Sequence, residues 1–225
     1  LEALGIPALV CTGEISDIYD ETVALLDAET GILTLSPNEE ERANFSTRCA
    51  QNAEKVTERE RVLHQLANKP AVTQGGHRIL VYANVGGEAE IDAVLSGGAD
   101  GIGLLRSEFL YLSLDHEPGE EELYQSYRAV AERMAGRRVV IRTLDIGADK
   151  QVSYLSLPHE ENPALGLRGV RLCLRERTLF CEQIRAILRA SAHGKVALML
   201  PMIVSVEEVR ACRELIHECM QTLSS

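Results

Sequence analysis

Apolar positions change their spacing twice along this chain, and the changes divide it into three pieces. In the first they come in short blocks. Ile6–Cys11 is apolar and reads as a short strand, while Thr22–Leu26 and Ile32–Leu35 flank Asp27-Ala-Glu-Thr-Gly31, a turn ending in glycine. Two such runs around a glycine-bearing turn predict a β-hairpin. A hairpin alone is marginal in water, so this one is expected to belong to a larger domain. The second piece opens on Ser36-Pro37-Asn38-Glu39, where Ser36 suits a helix N-cap, Pro37 the first turn and Glu39 a capping box. The predicted helix runs to about Leu66. Its apolar positions, Phe45, Cys49, Val56 and Leu63, are too sparse for a coiled-coil seam, so a solvated helix linking two domains is expected.

From Ala71 the third piece alternates strand and helix patterns. Strands are predicted at Arg78–Ala83, Gly101–Leu105, Arg138–Leu144 and Val196–Met202. Helices are predicted at Glu88–Leu95, at Glu120–Ala135 with Leu123, Tyr127, Val130 and Met134 on one stripe, at Thr178–Ala192, and beyond the capping box Ser205-Val-Glu-Glu208. Such alternation implies parallel strands with right-handed crossovers. The pattern leaves two architectures open, a doubly wound sheet and part of a (β/α)8 barrel. No Gly-x-Gly-x-x-Gly follows the first strand and no P-loop is present, which argues against dinucleotide and P-loop nucleotide binding.

Composition changes this picture in two places. Residues 1–60 hold 13 Asp and Glu against 4 Lys and Arg, while the remainder is nearly balanced. The front of the chain is therefore a different piece from the rest. The net charge of −11 argues against a nucleic-acid binder that relies on phosphate contacts. No apolar run is long enough to span a membrane, and Leu1–Val10 lacks a basic n-region. None of the six cysteines falls in a Cys-x-x-Cys pair, so buried free thiols in a reducing cytoplasm are expected. The six histidines, His64, His77 and His193 among them, read as structural or solvated.

Chemistry in parallel α/β folds collects where strands end. Gly101–Leu105 runs directly into Arg106, Val139–Ile141 runs directly into Arg142, and Gly166-Leu-Arg168-Gly-Val-Arg171 follows by a loop. A guanidinium fork bonds phosphate or carboxylate in bidentate fashion and stays charged at any working pH. Several forks at one mouth suit a small, highly anionic ligand. Glu108 and Asp145 are near enough in sequence to pair with Arg106 and Arg142, so an ordinary ion-pair network reads equally well from spacing alone.

At these residues the sequence resembles a known family. Gly101-Ile-Gly-Leu-Leu-Arg-Ser-Glu-Phe-Leu-Tyr111, Arg142-Thr-Leu-Asp-Ile-Gly-Ala-Asp-Lys150, Glu161-Asn-Pro-Ala-Leu-Gly-Leu-Arg-Gly-Val-Arg171, Gln183–His193 and Met199-Leu-Pro-Met-Ile203 are similar, in order, to blocks of the phosphoenolpyruvate–protein phosphotransferases. These are the first enzymes (enzyme I) of the bacterial sugar phosphotransferase system. The resemblance implies a (β/α)8 barrel that binds phosphoenolpyruvate with Mg2+. It implies phosphoryl transfer to a histidine on a swivelling domain and onward to the phosphocarrier protein HPr, in a cytoplasmic enzyme that is a homodimer when complete. It assigns Arg106, Arg142 and Arg168 to the substrate's phosphate and carboxylate, with Asp145, Asp149 and Lys150 in support. No metal ligand or acid–base residue is assigned in this chain.

Ser107, Ala148 and Leu167 depart from the usual threonine, glycine and aromatic residue, which points to a divergent branch or to the enzyme I portion of a fused multiphosphoryl transfer protein. The resemblance divides the chain into 1–36, the end of a phosphohistidine domain; 37–70, a linker helix; and 71–225, the first half of the barrel. The phosphohistidine motif, the metal-binding carboxylates and the cysteine that protonates enolpyruvate are expected elsewhere, so these residues alone are expected to be inactive. The alternative is a non-catalytic half-barrel that binds or dimerises. Four strands leave two open edges, which disfavours an independent module and predicts poor stability for the isolated residues.

Overall fold

The computed structural model describes residues 6–10, 22–67, 69–147, 152, 154–155 and 157–224. They fall into two units, Leu1–Leu63 and His64–Ser225.

In the first unit β1 (Ala24–Asp27) pairs antiparallel with β2 (Ile32–Leu35), Ala24 opposite Leu35 and Asp27 opposite Ile32. The predicted turn joins them. Asp27 Oδ1 accepts the Glu29 and Thr30 N–H groups, each at 3.1 Å. The Thr30 bonds, with help from Arg48, hold the Asp27 carboxyl below its usual range. Residues 6–10 form no strand, contrary to expectation, because none of the described strands pairs with them; Cys11 lies outside the described residues.

Helix α1 (Glu39–Leu66) starts two residues later than a Ser36 cap would place it. The capping box is Asn38 with Glu41: Glu41 N–H donates to Asn38 Oδ1 and Asn38 N–H to Glu41 Oε2, both at 2.8 Å. Ser36 cannot be the cap, because its φ is +48° and its N–H closes the hairpin onto the Val23 carbonyl. No residue of α1 is buried, which bears out its solvated character.

The second unit holds β3 (Ala71–Val72), β4 (Arg78–Ile79), β5 (Tyr82–Val85), β6 (Gly101–Arg106), β7 (Arg138–Arg142) and β8 (Val196–Met199). Its helices are α2 (Ile91–Ser96), α3 (Glu108–Leu112), α4 (Glu120–Arg133), α5 (Val170–Arg175), α6 (Arg177–Ala190) and α7 (Val206–Ser224). The predicted strand Arg78–Ala83 is divided. Its first part pairs antiparallel with β3, and only β5 joins the main sheet. Asp100 marks the break: one carboxylate oxygen accepts the Val81 N–H at 2.9 Å and the other the Arg78 guanidinium at 2.6 Å.

The main sheet is all parallel, in the order β5-β6-β7-β8. That order decides between the two architectures the pattern left open. A doubly wound sheet reverses direction at a switch point. Here each strand lies beside its predecessor, and right-handed crossovers then place successive helices on one face. This is the first half of a (β/α)8 pattern, and four strands do not close it.

α4 and α6 supply the cover. α4 buries Leu123, Tyr127 and Val130, and α6 buries Leu179, Phe180, Ile184, Ala186, Ile187 and Ala190. α7 starts at the predicted capping box, Glu208 N–H donating to Ser205 Oγ at 3.1 Å. Along β7, Val139 and Ile141 are buried while Val140 and Arg142 on the other face are half-open, the period-2 alternation of a sheet covered on one side.

Glycines let the elements close up at two places. A Cβ at Gly103 would lie 2.8 Å from that of Tyr82, and one at Gly101 would lie 2.7 Å from the Tyr82 ring, so β6 admits no side chain against β5 there. Gly169, with φ +56° and ψ −134°, turns the chain into α5 where a Cβ would press on Met202 at 2.9 Å. Gly169→Ala is expected to destabilise the second unit by about 1–3 kcal/mol, the usual cost of a non-glycine residue in such a conformation; a thermal melt unchanged from wild type would contradict this.

Candidate functional site

β6 and β7 stop at the same level, each on an arginine. Arg106 and Arg142 are register partners in the parallel ladder, so two guanidinium-bearing residues stand on facing positions of neighbouring strands. Facing like charges on adjacent strands are destabilising unless something compensates them.

Two buried carboxylates compensate in part. Glu108, in the first turn of α3, accepts Arg142 Nη2 at 2.5 Å and is 2% exposed. It lies two residues from Arg106, yet it reaches the arginine of the next strand. Asp145, in the loop after β7, accepts Arg142 Nη1 at 3.1 Å through one oxygen and Arg168 Nε at 3.1 Å through the other. Three of the predicted residues, Arg142, Arg168 and Asp145, thus form one network, and Arg106 stands beside it. Asp149 and Lys150 lie outside the described residues.

Arg168 reaches the network because the loop that carries it is pinned at both sides. Glu160 accepts the Leu167 N–H at 3.0 Å, and the Val170 N–H donates to the Pro201 carbonyl just past β8. Arg106 is placed by an aromatic face, its guanidinium carbon lying 4.6 Å from the centroid of the Phe109 ring, a cation–π contact. The Nε groups of Arg106 and Arg142 are buried without a hydrogen-bond partner among the described residues. Among the described residues three guanidinium groups meet two carboxylates here, and the buried Nε donors of Arg106 and Arg142 are unused. Such a corner can bind a small anion that brings its own oxygens.

Sequence reasoning missed Gln183. This wholly buried side chain of α6 accepts the Leu144 N–H at 2.9 Å and donates to Ser107 Oγ and Tyr127 Oη, each at 3.0 Å. A glutamine on the apolar stripe of a predicted helix was the available signal. Phe109 was also legible, three residues after Arg106 on a short helix.

Metal chemistry finds no footing among the described residues. No group of three or more His, Cys, Asp or Glu side chains is placed to hold an ion, and Glu108 and Asp145 already serve arginines. No described helix is long and apolar enough to cross a membrane.

The chain as a whole is similar to known proteins. Residues 60–225 match the family described as PEP-utilising enzyme, PEP-binding domain. The chain is 41% identical over 218 residues to the phosphoenolpyruvate-protein phosphotransferase of Staphylococcus carnosus (strain TM300), covering 96% of this chain and 37% of that protein. It is 40% identical over 217 residues to the protein of the same name from Priestia megaterium, with the same shares. It is 44% identical over 214 residues to the multiphosphoryl transfer protein of Xanthomonas campestris pv. campestris, covering 94% of this chain and 25% of that one. The chain therefore spans well under half the length of these relatives.

Cys173 lies beside the arginine corner, its Sγ 3.7 Å from the Leu144 carbonyl, while three of the histidines have partners of their own. His193 bonds Glu132 and Tyr124, His116 bonds Asp115 and Glu122, and His217 bonds Gln221. Cys173, Cys212 and Cys219 are buried as expected, whereas Cys181 is half-buried, Cys49 is exposed because α1 has no buried face, and Cys11 lies outside the described residues. Burial pushes the Cys173 thiol well up and those of Cys212 and Cys219 up to about 11. At pH 8 a thiol with a pKa of 11 is thiolate in about one molecule in a thousand. Brief alkylation of the folded protein at that pH, followed by peptide mapping, should mark Cys49 and spare Cys173, Cys212 and Cys219. Labelling of the three buried thiols at the rate of Cys49 would contradict their placement.

Proposed function

The chain belongs to the PEP-utilising enzymes, whose PEP-binding domain it carries over residues 60–225, and from that premise we propose that it is the substrate-holding part of a phosphoenolpyruvate–protein phosphotransferase. In this reading Arg106, Arg142 and Arg168 hold the phosphate and carboxylate of phosphoenolpyruvate. Asp145 aims two of these forks, and Asp149 and Lys150 act in support. The observation that carries the reading is the pair Arg106 and Arg142 on facing register positions at the ends of β6 and β7, each with a buried Nε that has no partner among the described residues. An anion with several oxygens relieves the repulsion of the facing pair and uses those donors.

The reaction proposed for the whole polypeptide breaks the bond between phosphorus and the enol oxygen and forms a phosphorus–nitrogen bond to a histidine. The enolate takes a proton to become pyruvate, and the phosphoryl group passes on to HPr. The arginines take no proton in this. They bind, orient and neutralise the transferring group, and positioning with electrostatic stabilisation is most of what a protein supplies to phosphoryl transfer. Magnesium belongs to the proposed reaction, but the described residues do not build a site for it, so no step is drawn through it. The proposal extends to a cytoplasmic, homodimeric enzyme that starts sugar uptake. Residues 1–36 would close its phosphohistidine domain, 37–70 would link, and 71–225 would form the first half of the barrel. The 225 residues alone would not transfer the phosphoryl group.

Titration calorimetry of the full natural polypeptide with phosphoenolpyruvate tests the assignment. Arg142→Ala removes a fork for which no neighbouring group substitutes, and affinity should fall about a hundredfold or more, the scale of two charge-assisted hydrogen bonds. Unchanged affinity would remove Arg142 from the site. Incubation with phosphoenolpyruvate labelled at phosphorus should also transfer label to HPr; a wild-type polypeptide that binds the substrate and labels nothing would leave binding as its role.

A further inference from the structure

We propose that Gln183 is a positioning residue that sets the separation of Arg106 and Arg142, an inference that rests on reading those arginines as the phosphoenolpyruvate site. The register pair Arg106 and Arg142 is the last one between β6 and β7. Beyond it the ladder stops, although the two strand ends carry repelling charges and need a tie most at that level. Gln183 provides one. Its Oε1 accepts the N–H of Leu144, two residues past Arg142, and its Nε2 donates to the hydroxyl of Ser107, the residue after Arg106. The side-chain amide thus stands in for the missing backbone rung.

The amide is itself held from a third direction. Its second Nε2 proton goes to the hydroxyl of Tyr127 on α4, a wholly buried group whose pKa burial pushes up, so that it stays neutral. Gln183 is 0% exposed and packed among Phe180, Ile184 and Ile187 on the same face of α6. A planar amide with three bonds to three segments of the chain, in a wholly buried place, has one orientation available. Nothing in it reaches the arginine side chains. Its effect on a ligand must therefore pass through the backbone positions of Ser107 and Leu144.

The test compares phosphoenolpyruvate binding by calorimetry in the full natural polypeptide and its Gln183→Met variant. Methionine keeps the apolar volume and removes all three bonds. The Kd is expected to weaken about tenfold to a hundredfold at unchanged stoichiometry, the scale on which small misplacements of binding groups act. A merely structural role would instead lower the stoichiometry, through loss of folded molecules, and leave the Kd alone; that result overturns the proposal. Added to Arg142→Lys, which has already lost the fork, Gln183→Met should lose most of its effect. A full additional loss in the double variant also overturns it. Should Gln183→Met not fold, Tyr127→Phe keeps the ring and removes one anchor of the amide, and a smaller loss of affinity in the same direction is expected; an unchanged Kd again counts against the proposal. If the wild type does not bind phosphoenolpyruvate, the reading of the arginines falls and this inference with it. If the wild type binds and the variants bind equally well, only this inference falls.

Discussion

Two like charges held on facing positions of neighbouring strands are the constraint around which the second unit is arranged. Arg106 and Arg142 end β6 and β7 at the same level. Parallel strands cannot place them farther apart, so their repulsion must be met by other groups. Glu108 and Asp145 meet it from the loop side, Phe109 offers one guanidinium an aromatic face, and Gln183 ties the strand ends from below. Removing one partner of a buried ion pair typically costs about 3–5 kcal/mol, whereas a well-made pair adds little net stability. The network is thus poor as a stabilising device, and its useful property is a fixed array of forks with buried Nε donors unused among the described residues.

The elements that fix the array are ordinary core. α4 and α6 cover one face of the sheet, and each lays an apolar stripe against it. Three polar groups in that interior, on Gln183, Ser107 and Tyr127, are joined through the Gln183 amide, which also holds the Leu144 N–H just past β7. A buried polar group that is fully bonded can fix a geometry; one left unbonded would only destabilise. The loop bearing Arg168 depends in the same way on local bonds, through Glu160 at one side and Pro201 at the other. The turn at Gly169 admits no side chain between them and Met202.

The first unit answers to different physics. α1 buries no residue and carries acidic side chains throughout its first turn, which suits the positive end of the helix dipole. Its ordering comes from the Asn38–Glu41 capping box and from bonds to the hairpin, where Arg48 pairs with Asp27 at 2.9 Å. Exposed pairs of this kind contribute little to stability. The exposed Cys49 follows from the same lack of a buried face.

Local pattern by itself determined the hairpin, the long solvated helix, the four parallel strands and their main helices, and the arginines at the strand ends. Each is written in the spacing of a few neighbouring residues: alternation along β7, the stripe on α4, the capping box at Ser205. Local pattern erred where two adjacent signals competed. Asn38 displaced Ser36 as the cap once the Ser36 N–H was taken by the hairpin, and Asp100 divided a strand that reads as continuous from Arg78 to Ala83. Only the tertiary structure decided the rest. Strand order, and with it the choice of a barrel half over a doubly wound sheet, depends on which strands lie side by side. So do the facing of Arg106 and Arg142, the pairing of Glu108 with the arginine of the next strand, and the place of Gln183, which lies 76 positions from Ser107 and 39 from Leu144 along the chain. A sequence records which residues can make such bonds, but the partner of a buried amide is set by the packing of helices and strands distant in sequence.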